Sequence, residues 1–284
     1  MNETLDVLRP NIERLFALPP QEILYDKSAS LVIADFIEAL NDGLIRAAER
    51  LSDGTWQVNE WVKHGILVVF RKGHLEDVSL NETFRFFDKD TLPVKPLTLK
   101  DNVRVVPGGS TIRSGAFVDH GVICMPPMFI NIGAHVEEGT MIDSHALVGT
   151  CAQIGKHVHI SAAAQIGGVL EPIGARPVII EDDVMVGGNC GVYEGVLIRR
   201  RAVLGSGVVL NASTPVYDLV HQRILRSTVD APLEIPDGAV VVAGSRSINS
   251  DFGREHGLSL STPIIVKYRD EKTDARTAME ESLR

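Results

Sequence analysis

Apolar residues recur at every sixth position through the middle of the chain. The spacing holds one register from Val106 to Ile166, breaks, and resumes from Ile180 to Leu210. Its seventeen positions are all apolar, and sixteen of them are aliphatic: Val106, Ile112, Val118, Cys124, Ile130, Val136, Ile142, Val148, Ile154, Ile160, Ile166, Ile180, Val186, Val192, Ile198, Leu204 and Leu210. A period of six fits neither the 3.6-residue period of an α-helix nor the two-residue alternation of a hairpin strand.

A second set of residues, often small, follows these anchors by four positions. Its members are Ala116, Ala134, Thr140, Ala146, Ala152, Val158, Ala164, Val184, Cys190, Val196, Ala202 and Val208. A short strand and a corner, repeated three times per coil, account for both sets, because the long side chain fills the interior while the small one lies at the corner. Residues 104–211 are therefore predicted to form about six coils of a parallel β-helix. The spacing alone does not give its handedness.

The register breaks between Ile166 and Ile180. Fourteen residues separate these anchors where twelve would keep the register, so residues 167–179 are predicted to bulge two residues out of a coil. Loops on a rigid scaffold commonly carry ligand contacts. A tolerated insertion explains the gap equally well.

The chain before the repeat differs in kind. Residues 3–17 and 28–51 show helical spacing, and residues 55–70 are predicted to form a strand that turns near Gly73. Residues 1–100 are accordingly predicted to form an α/β domain.

The chain after the repeat is expected to close the open end of the β-helix, which would otherwise expose an unpaired edge. Residues 235–248 and 261–270 are predicted to be short strands, and residues 271–284 a terminal helix. The predicted organisation is thus an N-terminal domain, a β-helix over 101–211 and a small C-terminal cap over 212–284.

Composition narrows the functional classes. The 284 residues carry a net charge of −9, which argues against a nucleic-acid surface or a basic membrane face. No apolar run approaches the roughly 18 residues of a membrane span, and the amino terminus lacks the apolar region of a signal peptide. Three cysteines without paired spacing indicate a reducing compartment. A cytoplasmic protein is expected.

Histidines and cysteines cluster around residues 141–161 and raise the question of a metal site. Three histidines from adjacent coils would have to converge, and the spacing of the candidates does not favour this: His120, His135, His145, His157 and His159. No metal site is predicted. Cys124 and Cys190 occupy inward positions, and Cys151 is expected to be a bystander.

Longer motifs resemble one family. The stretches "FINIGAHVEEGTMIDSHALVGTCAQIGKHVHIS", "GGVLEPIGARPVIIEDD" and "VRVVP" are similar to tetrahydrodipicolinate N-succinyltransferase, of the hexapeptide-repeat acyltransferases. The resemblance implies a left-handed β-helix and a homotrimer with active sites in the grooves between subunits. It also implies succinyl-CoA as co-substrate, a small dicarboxylate as acceptor and no tightly bound cofactor. Apolar residues expected on outer faces favour the trimer: Met125, Met128, Phe129 and Val169.

The resemblance also suggests site residues. Arg104 matches the substrate-binding arginine, and Asp143 matches the functional aspartate, expected both to bind substrate and to assist proton transfer. Where many members read A-R-S-E-V-V-E-G, this chain reads "GGNCGVYEG", so a catalytic glutamate falls on Gly191 and only the later one is kept, as Glu194. Glu194 is the second catalytic candidate, and the identity of the base stays open.

Glycine-rich corners are the candidate sites for the CoA thioester. The expected CoA-binding residues are Gly167, Gly168, Gly188 and Gly207. Backbone N–H groups around Gly187 and Gly188 are candidates to stabilise the thioester oxyanion. The run Arg199–Arg201 is either a solvated edge or a partner for the CoA phosphates.

Two other functions stay open. Acetyl-CoA is an alternative donor to the same acceptor, although the related acetyltransferases have shorter chains. A non-catalytic β-helix that serves as an assembly module is an alternative from a different class.

Overall fold

In the computed structural model, residues 2–228 and 231–270 are described, with side chains from residue 7 onward. A parallel β-helix occupies the middle of the chain. Each short strand pairs with the strand one coil later, as Val136 pairs with Ile154, and three strands complete a coil. The β-helix therefore has three flat outer faces.

The first two faces are six-stranded parallel sheets. The covered face consists of β7 (Phe117–Val118), β10 (His135–Val136), β13 (Gln153–Ile154), β16 (Ile179–Ile180), β19 (Leu197–Ile198) and β24 (Glu234–Ile235). The open face consists of β6 (Thr111–Ile112), β9 (Phe129–Ile130), β12 (Leu147–Val148), β15 (Gln165–Ile166), β18 (Gly191–Val192) and β21 (Val209–Leu210).

The third face has ten strands and is called the extended face. In spatial order its strands are β5 (Arg104–Val105), β8 (Ile123–Cys124), β11 (Met141–Ile142), β14 (His159–Ile160), β17 (Met185–Val186), β20 (Val203–Leu204), β25 (Ala239–Ser247), β26 (Ser259–Tyr268), β22 (Val216–Asp218) and β23 (Arg223–Leu225). The first seven are parallel, and the antiparallel pair β25–β26 then ends the stack. The predicted C-terminal strands are confirmed, and β24 and β25 continue the coils beyond residue 211.

The six-residue period corresponds to the core of the β-helix. Sixteen of the seventeen anchors belong to one buried cluster, in which none of them is more than 6% exposed. Val106 is the exception, because Val105 rather than Val106 opposes the inward Cys124. This shift of one residue turns Arg104 to the outer face, opposite Ile123.

The insertion is longer than the spacing predicted. A coil elsewhere advances 18 residues, from Val136 to Ile154, whereas 26 residues separate Ile154 from its partner Ile180. The segment between β15 and β16 therefore adds eight residues, not two. The prediction was wrong because it placed two repeat units between these anchors, where the structure has one.

Two apolar residues expected on an outer face lie in the core instead. Met128 is 3% exposed and Val169 is 8% exposed, and both pack into the β-helix cluster. Met125 and Phe129 are half-buried. Of the four residues, only Met125 and Phe129 therefore support an apolar outer surface.

The N-terminal domain is a group of helices with two small antiparallel strand pairs. Its elements are α1 (Asn2–Ala17), α2 (Pro20–Tyr25), α3 (Ala29–Asn41), β1 (Ala48–Arg50), β2 (Trp56–Val58), α4 (Glu60–Lys72), β3 (Leu75–Asp77), β4 (Phe87–Lys89) and a 3₁₀ helix at Leu99–Asp101. The strand expected over 55–70 is wrong beyond β2. Val62, Ile66 and Val69 recur at helical spacing and are fully buried, so this segment packs as α4.

The second predicted helix, 28–51, ends at Asn41 in the structure. Gly43 turns the chain there with a φ of 69°, and a Cβ at this position would lie 2.8 Å from the ring of Phe117. At the other end of the chain, α5 (Asp251–Glu255) lies between β25 and β26. The helix predicted at 271–284 lies outside the described residues.

The N-terminal domain packs against the covered face. The Arg46 Nε donates to Gln153 Oε1 at 2.8 Å, and the Trp56 Nε1 donates to Glu181 Oε1 at 3.0 Å. Among the described residues, no helix combines the length and apolar composition that a membrane crossing requires.

Candidate functional site

Arg104 and Asp143 project from the same side of the molecule. Arg104 opposes Ile123, and Ile123 opposes Met141, so β5, β8 and β11 lie side by side in the extended face. Two strand spacings, about 10 Å, separate Arg104 from Met141. Asp143 lies two residues beyond Met141 on the same outer side. The two family-implied residues are therefore brought into one neighbourhood.

Asp143 lies at the corner where β11 turns into β12. These corners join the extended face to the open face, and they are called here the Asp143 edge. The carboxylate is half-buried, and its Oδ1 accepts a hydrogen bond from the Ser144 N–H at 2.7 Å. The Oδ2 accepts no hydrogen bond from any described residue. One carboxylate oxygen is thus held by the backbone, and the other can accept a proton or a hydrogen bond from a ligand.

Glu194 lies on a different corner. It follows β18 and begins the turn into β19, where the open face meets the covered face; these corners are called the Glu194 edge. Its backbone φ is 53°, and its Oε2 accepts a hydrogen bond from the Ala212 N–H at 2.8 Å. Glu194 also lines a cleft of about 540 Å³ together with Arg176, Arg199 and Glu234. Within one chain it is not grouped with Asp143.

The four glycines predicted to bind CoA are divided between these two edges. Gly188 and Gly207 lie on the Asp143 edge, whereas Gly167 and Gly168 lie on the Glu194 edge. A Cβ at Gly168 would lie 2.6 Å from the Thr150 backbone nitrogen, so close approach of adjacent coils requires glycine there. At Gly207, φ is 76° and the space around the Cα is open. Their binding of CoA stays a prediction.

The expected oxyanion donors are partly in use. The Gly187 N–H donates to Leu204 O at 2.8 Å in the ladder between coils, so it is not available to a thioester. The Gly188 N–H, the other expected donor, donates to no described residue and stays a candidate. A side-chain donor could act beside it.

Tyr193 is a residue that the sequence reasoning missed. A Cβ at Gly191 would lie 2.5 Å from Cε2 of the Tyr193 ring, so this ring occupies the place of the side chain that position 191 lacks. Tyr193 directly follows the inward anchor Val192, as Asp143 follows Ile142. A residue directly after an inward anchor points its side chain outward, and this shared position is the sequence signal that could have identified Tyr193.

The cysteines and histidines do not form a reactive cluster. All three cysteines are buried, and burial raises the pKa of Cys124 and of Cys151 to about 12. Burial, with a contribution from Arg46, lowers the pKa of His135 to about 2. The described residues contain one group able to hold a metal ion, Asp119 with His120 and Glu138, and the Lys156 Nζ already lies 3.2 Å from Glu138 Oε1.

Arg199 has a structural role. It lies 3.1 Å from Glu181 and 2.9 Å from Glu234, and its Nη1 donates to Gly54 O at 3.2 Å. Arg200 lies 3.8 Å from each of Asp182 and Asp183. These carboxylates disfavour a phosphate at this edge and favour the first interpretation of the arginine run, a structural and solvated edge.

The insertion between β15 and β16 is fastened to the N-terminal domain. Lys63 of α4 is fully buried, and its Nζ donates to Ala175 O at 2.5 Å. The Arg176 Nε donates to Gly195 O at 3.1 Å. The segment is a packed loop and not a free flap over the surface.

The fold, together with matches to two family models, places this chain among the hexapeptide-repeat acyltransferases. Residues 177–212 match the family model described as hexapeptide repeat of succinyl-transferase. Residues 8–71 match the model described as tetrahydrodipicolinate N-succinyltransferase N-terminal.

Relatives that match most of the chain identify the family to which it belongs. The chain is 44% identical over 253 residues to the 2,3,4,5-tetrahydropyridine-2,6-dicarboxylate N-succinyltransferase of Polynucleobacter asymbioticus, with 87% of each chain covered. It is 41% identical to the enzyme of the same name from a Wolbachia of Brugia malayi, covering 91% of this chain and 90% of the relative. The chain belongs to the tetrahydrodipicolinate N-succinyltransferase family.

Proposed function

We propose that this protein transfers the succinyl group of succinyl-CoA to the amine of ring-opened tetrahydrodipicolinate, in the diaminopimelate route to lysine. The observation that carries the proposal is the shared outer side of Arg104 and Asp143. This side of the molecule carries a guanidinium and a carboxylate about two strand spacings apart. The relatives that bear this activity in their names cover the same length of chain.

Arg104 fits the acceptor because the acceptor is a dicarboxylate. A guanidinium grips a carboxylate through two parallel N–H bonds, which fixes orientation as well as charge. In a chain with a net charge of −9, such a local cation is needed to bind an anion. Arg104 is exposed on its strand, where a ligand can reach it.

Asp143 fits the proton transfer. The amine nitrogen attacks the thioester carbonyl carbon, so that a C–N bond forms, the C–S bond breaks and CoA leaves as a thiolate, which becomes the thiol by taking up the proton that the nitrogen releases. The nitrogen loses a proton during this step, and a carboxylate within hydrogen-bond reach can accept it. The Ser144 N–H orients one oxygen of Asp143 and leaves the other for this role.

A homotrimer of left-handed β-helices is part of the proposal. Asp143 and Glu194 lie on different edges of one chain, on either side of the open face. A neighbouring copy could bring the Asp143 edge of one chain against the Glu194 edge of the next. Light scattering should give three times the 30.9 kDa chain mass at micromolar concentration, and a stable monomer would contradict the assembly.

CoA thioester is the co-substrate in this proposal, bound along the glycine-containing corners, and no tightly held cofactor is involved. The proposed location is the cytoplasm, where CoA thioesters and reduced cysteines coexist. The buried, unpaired state of Cys124, Cys151 and Cys190 supports a reducing environment.

Thiol release provides the test. Purified protein is mixed with succinyl-CoA or acetyl-CoA, each with and without the amino dicarboxylate, and free CoA is measured. We expect release that requires both succinyl-CoA and the acceptor. A preference for acetyl-CoA would change the donor, and no acceptor-dependent release from either thioester would favour the assembly module.

A further inference from the structure

We propose that the Tyr193 hydroxyl contacts the substrate and donates a hydrogen bond to the carbonyl oxygen of the acyl thioester. This inference rests on the proposed acyl transfer. It assigns Tyr193 as a catalytic residue on the Glu194 edge, beside a glycine that leaves space for it.

The ring of Tyr193 lies flat across two glycines. A Cβ at Gly191 would be 2.5 Å from Cε2 and 2.9 Å from both Cζ and Oη, and a Cβ at Gly167 would be 2.7 Å from Cδ1. Real Cβ atoms essentially never come this close to another heavy atom. Glycine at both positions is therefore the condition for this ring placement.

The direction of the ring follows from the strand register. Val192 points into the core and is fully buried, so the next residue turns outward at the end of β18. The Tyr193 N–H donates to Leu210 O at 2.9 Å, which fixes the backbone. The ring then folds back over Gly191, which leaves the hydroxyl above β18 on the open face.

The hydroxyl is available for a ligand. A phenol oxygen can donate one hydrogen bond and accept others. Tyr193 is half-buried, and its Oη has no hydrogen-bond partner among the described residues. A polar group that is partly removed from water without a partner favours a ligand that supplies one.

The chemistry of acyl transfer requires a donor of this kind. Negative charge develops on the thioester oxygen when the amine attacks, and a preorganised donor stabilises it. The Gly187 N–H, a backbone candidate, already donates to Leu204 O. Tyr193 offers an O–H in a fixed place without breaking the ladder between coils.

The arrangement also explains why a second subunit would be needed. Asp143 directly precedes β12, and Tyr193 directly follows β18. Because β15 lies between β12 and β18, these two strands are about 10 Å apart. Asp143 and Tyr193 of one chain therefore do not reach one reacting carbon. In a groove between two chains, Tyr193 of one copy and Asp143 of the other can act on the same bond.

The test removes one oxygen atom. Tyr193→Phe keeps the ring over Gly191, so stability should not change, but kcat with succinyl-CoA and acceptor should fall about a hundredfold. The KM of each substrate should stay within about twofold, because the lost bond forms chiefly as charge develops. Tyr25→Phe, at a hydroxyl in an 85% exposed residue, is the matched control.

One further variant tests the geometry. Gly191→Ala keeps the Tyr193 hydroxyl but should displace the ring, because a Cβ there would lie 2.5 Å from Cε2, and it should lower kcat as Tyr193→Phe does. An active wild type with an equally active Tyr193→Phe overturns the role of Tyr193 alone, as does a loss confined to KM. A wild type that releases no thiol overturns both this role and the proposed function.

Discussion

The covered and open faces of the β-helix have the same repeat but different outer surfaces. On the covered face, the outward residues of β10, β13 and β16 are a histidine, a glutamine and an isoleucine, and all three are buried. On the open face, the corresponding residues Phe129, Leu147 and Gln165 are half-buried. The N-terminal domain contributes to this difference, because Arg46 and Trp56 contact the covered face.

The comparison shows where function can lie on a regular scaffold. The inward positions are fixed by the repeat on every face, so only outward positions are free to specialise. On the covered face these positions bind the N-terminal domain through partners such as Arg46 and Trp56. On the open side the candidate residues are at the edges, where Asp143 and Tyr193 each follow an inward anchor.

The largest expected effect is a loss of turnover when Asp143, beside the open face, is changed. Asp143→Asn keeps the shape of the side chain and its bond from Ser144, but it removes the charge. We expect turnover to fall about a hundredfold or more, the scale of a lost acid–base group, with an unchanged melting temperature.

Asp119→Asn is the matched control for this variant. Asp119 also directly follows an inward anchor, Val118, but at a corner away from the open face. Turnover measured by thiol release should be normal in this variant. If both aspartates proved equally dispensable, Asp143 would be a structural residue and the search for the base would move to Glu194.

The next effect concerns the loop that connects the two faces. Deletion of residues 170–177 leaves a four-residue corner, as in the other coils, but it removes the Ala175 carbonyl that accepts from Lys63. Lys63 is fully buried, so its ammonium would lose its partner at a cost of about 2–3 kcal/mol. A loop that only contacts a ligand, or a tolerated insertion, would leave stability intact when it is trimmed. The packed loop predicts a fall in melting temperature of several degrees instead.

Lys63→Met in the trimmed chain sharpens this prediction. If the unpaired ammonium causes the loss, the second change should restore part of the melting temperature, because it removes the buried charge. The same change in the full-length chain should not stabilise it. A trimmed chain that melts normally would contradict the proposed role of Lys63.

Arg104 tests whether the extended face holds the acceptor. Arg104→Ala should raise the KM for the dicarboxylate about ten- to a hundredfold, because a guanidinium–carboxylate contact is worth roughly 1.5–3 kcal/mol. The KM for the CoA thioester should change little. Arg200→Ala is the control, since Arg200 lies between Asp182 and Asp183 on another corner. Equal effects on both substrates would contradict the assignment.

The repeat made the β-helix predictable because one inward position per strand must be long and apolar. In α4 and in the insertion, where no six-residue repeat applies, the sequence was less informative. The apolar run "GILVVF" at 65–70 favoured a strand by its composition, yet Val62, Ile66 and Val69 pack as one helical face against the domain core. The length of the insertion was also misjudged, since strand pairing rather than spacing defines a coil.

The candidate site was predictable only in part. Arg104 and Asp143 were implied by motifs, although the register of Val106 was wrong by one residue and only the pairing of Arg104 with Ile123 gives its direction. The sequence indicated a missing side chain at Gly191. It did not indicate that the ring of Tyr193 fills that space, because this depends on how a side chain two residues away folds back.

The smallest expected effect belongs to the covered face and depends on pH. His135 is 6% exposed and stacks on Phe117 with ring centroids 4.4 Å apart. Burial, then the charge of Arg46, lowers its pKa to about 2, whereas an unfolded chain has a histidine pKa of about 6.5. Below about pH 6.5 the unfolded chain therefore binds a proton that the folded chain does not, so the free energy of unfolding falls as the pH decreases.

The contribution of this one residue is at most about 1.4 kcal/mol per pH unit. His135→Gln removes the titrating group, so denaturant unfolding between pH 6.5 and 4.5 should show a shallower loss of stability than the wild type. His256→Gln, at an exposed histidine that forms no ion pair with a described residue, is the matched control. Equal slopes in all three proteins would mean that His135 is protonated in the folded state, and that the covered face opens to water where the N-terminal domain packs on it.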